Sequence, residues 1–449
     1  MRMPNSRQIS DEQEEIYAEA PMDGSIVIIG PPGTGKTVIA FLRAQALHRR
    51  NKIAQVLMFN KVLKKYTDNV AGEDESAIKP ATLLSWAFRW WKSNGIKTGS
   101  DTKEKTYLDC PYAQKDEAKA LGAHWDKPKN KWFVSQAVLK GAEGGFDKWI
   151  NKGSSENAGD IAPPKITDYQ YDWTAMLVAA ASHPNMNDWG HLIIDEGQDF
   201  PKEMYSFLRF VSDKVTDGSL TIMADENQRL NEDENSTVAQ IKSALAVNED
   251  RSYKLEQNFR NTRQIAKLAN TFFVGLASGV PALPKKQGDI PQVVKTHNLE
   301  EQIDYIARIL SSRAPGEVGV FVQNDRMRKK VFDLLQYKLK DQYRVQTYSS
   351  KDQKKHPADD LVFDTSGTLT VINRHSCKGL EFDFVFIPEL QSIDIDGSSL
   401  DTFKMNMYVM CSRAREALYM LYSTSTGKEV EVVQFLPNID SNLVEYKDV

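Results

Sequence analysis

The sequence predicts an α/β protein built from two parallel-sheet domains, with a small α+β unit inserted in the first. Three observations carry this. Four β-branched residues in a row, Ile26 to Ile29, form a short strand buried on both faces, which glycines stop abruptly before a helical pattern begins. The same alternation of apolar strand and amphipathic helix returns beyond the Pro-punctuated stretch Pro281 to Pro291. Between the two, from about residue 96 to 164, lysines and acids crowd together and the tract closes in SSENAGDIAPP, a linker composition. At 449 residues the chain exceeds what one hydrophobic core usually covers. The expected division is 1–95 with 165–250, then 96–164, then 251–449.

Composition narrows the function class without settling it. Net charge is −4, so a nucleic-acid partner has to be met by local basic surface. Cys110, Cys377 and Cys411 lie far apart, in no metal-ligand spacing and in no even disulfide set, which fits a reducing, cytoplasmic compartment. The longest apolar stretch, Trp173 to Ala181, is too short to span a bilayer, so no membrane role is expected.

Taken in order, Ser10 with Gln13 three residues later makes a capping box at the start of an acidic helix. In the loop Gly30, Pro31, Pro32, Gly33, Thr34, Gly35, Lys36, Thr37, the glycines free the backbone to curl and point N–H groups at a β-phosphate. Lys36 can bridge β- and γ-oxygens, the Thr37 hydroxyl can ligate Mg²⁺, and the following helix turns its positive end to the phosphates. A second strand, Gln55 to Phe59, runs into Asn60, Lys61, Lys64 and Lys65, a basic segment at a strand end. Ala81 to Trp91 reads as an aromatic-rich helix. Tyr107 to Ser135 reads as a strand, helix and strand unit, with the helix over Lys115 to Leu121 and a closing strand over Lys131 to Val134.

The strand His191 to Ile194 delivers Asp195 and Glu196, and Leu220 to Met223 delivers Ala224 to Gln228. Tyr253 to Asn270 is a loop followed by a helix. The second domain alternates Val318 to Val322, a helix from Met327 to Leu339, Arg344 to Tyr348, Leu369 to Asn373 and Phe384 to Ile387. It has no complete glycine-rich loop of its own. Hydrolysing a nucleoside triphosphate needs a phosphate cradle, Mg²⁺ and a group that orients water. Asp195 fits the metal and Glu196 the water.

These pieces resemble, in order, the motifs of superfamily 1 DNA helicases of the UvrD, Rep and PcrA type: Gln13, GPPGTGKT, VLMFNKVL, DEGQD, ADENQ, QNFR, NRHSCKGLEFDFVF and YVMCSRAREAL. The resemblance implies two RecA-like P-loop NTPase domains with ATP and Mg²⁺ between them. It implies that Gln13 reads adenine and that Gln228 senses the γ-phosphate. Gly379 and Glu381 would contact the nucleotide, and Arg260 and Arg413 would reach across from the second domain. For single-stranded or tailed duplex DNA it points to Phe59, Asn60, Trp86 and His375, to which the basic segment adds Lys61, although the aromatic helix alone would place Trp86 in the core.

The implied activity is an ATP-dependent helicase or translocase moving 3′ to 5′. The alternative is an ATP-gated DNA-binding switch in a defence, plasmid or phage complex. Three departures stand out: Gln228 is followed by Arg229-Leu230-Asn231-Glu232 without the family's aromatic, Asn373 replaces a threonine, and Asn270 to Leu369 is too short for the usual accessory domain. The insert resembles a small domain of unknown function attached to bacterial and plasmid nucleic-acid enzymes. Lys127, Lys129 and Lys131 interleave there with Trp125, Trp132 and Phe133. That suits strand contact, a small aromatic core with a solvated lysine face, or docking of a protein partner.

Overall fold

The computed structural model describes residues 9–59, 61–71, 80–97, 105–111, 114–126, 131–135, 144–150, 161–167, 170–228, 235–276, 279–350, 353–393, 400–424 and 430–449. Asn60, Lys127, Lys129 and the stretch Arg229 to Glu232 therefore lie outside the described residues. The chain divides into two compact units, residues 1–86 with 186–449, and residues 87–185.

The chain starts its first sheet with β1 (Ser25–Ile29), β2 (Ala54–Met58) and β3 (Ala81–Thr82). The smaller unit then supplies β4 (Lys105–Leu108), β5 (His124–Asp126) and β6 (Lys131–Ser135), and a short ribbon of β7 (Lys165–Thr167) and β8 (Gln170–Tyr171). The first sheet is completed by β9 (Gly190–Ile194), β10 (Gly218–Ala224) and β11 (Ser252–Lys254). Its order is β11-β1-β10-β9-β2-β3, and every pairing is parallel. Strands β9 and β10 are buried along their whole length and β1 nearly so, as expected for a sheet covered on both faces. A parallel sheet puts all its carboxyl ends on one edge. Gly30, Phe59, Asp195, Asp225 and Leu255 consequently leave their strands side by side.

The second sheet holds β12 (Gln292–Thr296), β13 (Glu317–Val322), β14 (Arg344–Thr347), β15 (Thr368–Asn373), β16 (Phe382–Ile387), β17 (Ala414–Ser423) and β18 (Glu445–Asp448). Its order is β14-β15-β13-β16-β17-β12-β18, again all parallel. One apolar cluster runs from Ile26, Val56 and Leu63 through Phe272 to Ile372, Phe382 and Met407, so the two sheets share packing. Tyr66 meets Phe363 edge to face at 5.2 Å between ring centroids.

Several elements differ from the sequence expectation. The N-terminal helix is one α-turn, Asp11–Glu14, continued as a π-helix, Glu15–Glu19. It ends where the buried guanidinium of Arg43 donates to the carbonyls of Ile16, Ala20 and Pro21. Strand β11 pairs with β1, so the chain leaves the first sheet only after Lys254. Strands β12, β17 and β18 and the helix Leu299–Arg313 lacked a separate signal. Most of β17 is apolar and buried without alternation, a pattern that periodicity does not separate from a helix.

In the smaller unit β4, β6 and β5 form an antiparallel sheet in that order. Leu108, Trp132 and Val134 pack from it onto Ala118, Ala123, Phe146 and Trp149. The indole N–H of Trp149 donates to Gln114 Oε1 at 2.6 Å, and the Lys148 ammonium sits 4.5 Å from the Trp149 ring centroid. The aromatics thus divide: Trp132 is core, whereas Phe133 is half-buried and Trp125 is 45% exposed.

One buried group in the first sheet carries a pH dependence. His191 Nε2 lies 2.7 Å from Thr221 Oγ1, which accepts from Arg43 Nε at 3.0 Å. Burial, with Arg43 nearby, holds the imidazole down at about 3. The unfolded chain binds the proton near pH 6.5 and the folded chain does not, so the stabilisation is complete above 6.5 and is lost as pH falls towards 3. Between pH 6.5 and 5 the loss should be about 2 kcal/mol. Denaturant melts across that range should show it, and His191→Gln should flatten that part of the slope.

Candidate functional site

The carboxyl end of β1 opens into Gly30–Thr37, where Gly33 and Gly35 adopt φ of 83° and 84°. Gly33 could not carry a side chain, since a Cβ would stand 2.5 Å from Asn258 Oδ1. Pro31 and Pro32 are buried in the curl. The Thr34 hydroxyl donates to Pro31 O at 2.9 Å. Lys36 begins the helix Lys36–Arg49, and its ammonium donates to Gly30 O at 2.5 Å and Pro31 O at 3.1 Å. Burial lowers its pKa, while Asp225, Glu196 and Asp195 pull the other way.

The end of β9 supplies two buried carboxylates in different environments. Asp195 Oδ2 accepts from the Thr37 hydroxyl at 2.7 Å. Burial, with Glu196 beside it, pushes Asp195 up to about 6 against the Thr37 hydrogen bond. Glu196 sits at φ 54°, a left-handed position that costs a non-glycine residue of order 1 kcal/mol and is tolerated where the surroundings enforce it. Gln198 Nε2 donates to its Oε2 at 2.6 Å. Burial opposes ionisation of Glu196, but Lys378, Lys36 and Arg413 outweigh it and hold the carboxyl below its ordinary range.

Segments of the second sheet meet these groups. Gln228 donates from Nε2 to Asp225 Oδ2 at 2.6 Å, and its Oε1 accepts from Arg413. The fully buried Arg413 also donates from Nε to Val409 O at 2.9 Å. Arg260 lies on the loop leaving β11 rather than within the second sheet. Its guanidinium donates to Glu381 Oε1 at 2.6 and 2.9 Å and to Ser412 O at 3.3 Å. Burial would raise Glu381, but nearby cations, Arg260 first and Arg415 with it, together outweigh burial and hold it at about 2. Gly379, at φ 79°, lies against Leu63, whose Cδ1 would be 2.5 Å from an added Cβ.

Gln13 is buried. Its Nε2 donates to Thr34 O at 3.0 Å and its Oε1 accepts from Ser10 N at 3.2 Å, so the amide caps its own helix and braces the Gly30–Thr37 loop together.

Sequence reasoning passed over three features here. Lys378 is fully buried and donates to Asp199 Oδ1 at 2.6 Å and to Gln228 O, with Glu196 Oε2 at 3.7 Å. Asn258 Oδ1 accepts from the backbone N–H of Arg260 and Asn261, and Asn261 Nδ2 donates to Ser412 O and Ala414 O. Phe259 donates its N–H to Gly33 O at 2.9 Å and leaves half its surface exposed. The available signals were a lysine set between Cys377 and Gly379 and an aromatic inside QNFR, each read only as part of a pattern.

The residues considered for a nucleic-acid strand separate. Phe59 is half-buried and meets Phe200 edge to face at 5.6 Å. Lys61 donates to Gln353 Oε1 at 3.0 Å. His375 is exposed just beyond β15, with Arg374 Nε 3.5 Å from its Nε2. Trp86 is only 5% exposed and edges Trp189 at 5.6 Å, so it presents almost no open face to a base.

Comparison with known proteins gives partial likenesses. Residues 105–151 match a family described as "Domain of unknown function (DUF5710)". The chain is 40% identical over 52 residues to a DNA primase TraC of Escherichia coli, covering 12% of this chain and 5% of that protein. It is 42% identical over 57 residues to the RecBCD enzyme subunit RecB of Chlamydia pneumoniae, 13% of this chain and 5% of that protein. It is 33% identical over 81 residues to DNA helicase II of Rickettsia typhi, 16% of this chain and 12% of that protein. The chain thus spans a small part of each relative's length. Among the described residues no helix is long and apolar enough to cross a membrane.

Proposed function

We propose that the chain is an ATP-driven motor of the superfamily 1 helicase type, in which two RecA-like domains close on ATP and ratchet along single-stranded DNA from 3′ to 5′. The observation that carries this reading is the meeting of Lys36, Thr37, Asp195, Glu196 and Gln228 with Arg413 and Lys378, which come from segments of the second sheet. The partial likenesses to a helicase and to RecB support the same direction.

The donor set suits Mg²⁺-ATP. A hydroxyl paired with one carboxylate, Thr37 with Asp195, is the protein share of a magnesium site that otherwise uses phosphates and water. Among the described residues no cluster of three His, Cys, Asp or Glu side chains offers a separate metal cage. When bound, Mg²⁺ neutralises charge on the β- and γ-oxygens.

The chain's own residues do the rest. Lys36 leaves the Gly30 and Pro31 carbonyls for the phosphates, Glu196 orients the attacking water, and Arg413 stabilises charge spread over the γ-phosphoryl group. Gln228, bonded to both Asp225 and Arg413, relays the state of that group between the sheets. Gln13 and the exposed ring of Phe259 hold the adenine. Phe59, Lys61 and His375, at strand carboxyl ends, contact the strand through stacking and phosphate charge, with Asn60 beside them in sequence. The switch alternative draws on the same buried ties, and turnover separates the two.

Single-stranded DNA should stimulate ATP hydrolysis, and its binding should weaken with salt at a logarithmic slope of about 0.7 per phosphate neutralised. Steady-state ATPase assays with oligothymidylate, and titrations at several salt concentrations, test this. Hydrolysis indifferent to DNA would favour the switch, and absence of hydrolysis would overturn the ATP reading.

A further inference from the structure

Among the described residues, the core of the small unit packs on one face of its sheet. Along β4 and β6 the residues alternate, and Leu108, Trp132 and Val134 take the covered side. The opposite side of a solvated antiparallel sheet is expected to be polar. Lys131 occupies that side by strand alternation, in keeping with the rule. Tyr107 and Phe133 depart from it. They are directly opposed in register, their ring centroids are 6.1 Å apart at 53°, and both are half-buried. Two adjacent rings on the outer side of so small a sheet are the informative kind of exception.

We propose that this face is a stacking platform for single-stranded nucleic acid, separate from the strand contacts of the two large sheets and independent of nucleotide. Size favours that occupant over a protein. Three strands about 4.8 Å apart, each three to five residues long, present on the order of 200 Å², whereas a stable protein interface takes about 800 Å² per partner. One to three bases fit such a face, and rings stack on any base. Charge agrees. Residues 105–151 hold eight lysines against six carboxylates in a chain of net charge −4. Lys131 lies on the same face, and its 3.2 Å pairing with Asp109 is exposed on both sides and readily exchanged for a phosphate.

The test uses the full-length chain without nucleotide, with labelled dT20, rU20 and a blunt duplex as probes. Tyr107→Ala with Phe133→Ala should weaken binding of both single strands about tenfold or more, with a much smaller change for the duplex. Tyr107→Phe with Phe133→Tyr should restore it, because the rings are kept. Iodouracil-substituted dT20 should cross-link to residues 105–135 of the unmodified chain. Unchanged single-strand affinity, an equal loss for duplex, a loss that the aromatic exchange does not restore, or cross-links only outside the insert would each overturn the proposal. A preference for dT20 or rU20 identifies the physiological strand within it. DNA-free ATP hydrolysis by the same variants should be unchanged. Absence of hydrolysis by the unmodified protein both with and without DNA would instead contradict the motor reading, so the two failures are distinguishable.

Discussion

Glu196→Gln is expected to lower ATP turnover by about a thousandfold while leaving nucleotide affinity close to that of the unmodified protein. Glutamine keeps the shape and the neighbour at Gln198 but cannot accept a proton from water. The carboxylate is held ionised by Lys378, Lys36 and Arg413, so removing its charge also relaxes the repulsion that helps raise Asp195. The variant should therefore bind Mg²⁺-ATP at least as well and accumulate in the closed form. Lys36→Ala should fail differently, because it removes a charge aimed at the phosphates and should weaken binding and turnover together. Equilibrium binding of a fluorescent ATP analogue, set beside single-turnover hydrolysis, separates the two. Ordinary hydrolysis by Glu196→Gln would remove that residue from its assigned role.

Lys378→Met should cost about 3–5 kcal/mol of stability, the penalty for leaving a buried carboxylate without its partner. Lys378 and Asp199 are both fully buried and 2.6 Å apart, and burial already pushes Asp199 up to about 7 despite the lysine. Without the ammonium, Asp199 keeps the 3.3 Å donation from Asn235 Nδ2, and Glu196 loses a cation 3.7 Å away. Asp199→Asn in the same chain should recover a large part of the loss, since the uncompensated charge is then gone. Denaturant melts of the two single variants and the double variant measure the coupling. A single variant as stable as the unmodified chain would show that the ion pair does not tie the sheets.

The Gly30–Thr37 loop and the Asp195–Glu196 pair were legible as strand-end features because each follows an uninterrupted β-branched or aliphatic run, a local signal that needs no tertiary context. The same holds for β13 and β15. Strand β11 was not legible, because Ser252, Tyr253 and Lys254 offer only three residues and owe their place to β1. Strand β17 was hidden by its continuous apolarity, and β18 by its charges. In the site, the sequence brought Lys36, Thr37, Asp195 and Glu196 into one list, but it could not reveal that Gln13 braces Thr34 or that Arg260 pairs with Glu381, since both depend on contacts between distant segments. Lys378 escaped for the same reason: a lysine reads as solvated until its burial is seen. Trp86 shows the reverse error, a large ring in an apolar helix being more often core than contact.

The most direct measurement is strand displacement on duplexes carrying a single-stranded 3′ tail, a 5′ tail or none, with and without ATP. The account predicts ATP-dependent displacement from the 3′-tailed duplex, little from the others, and none with Lys36→Ala or Glu196→Gln. Displacement without ATP, or equally from blunt duplex, would contradict it.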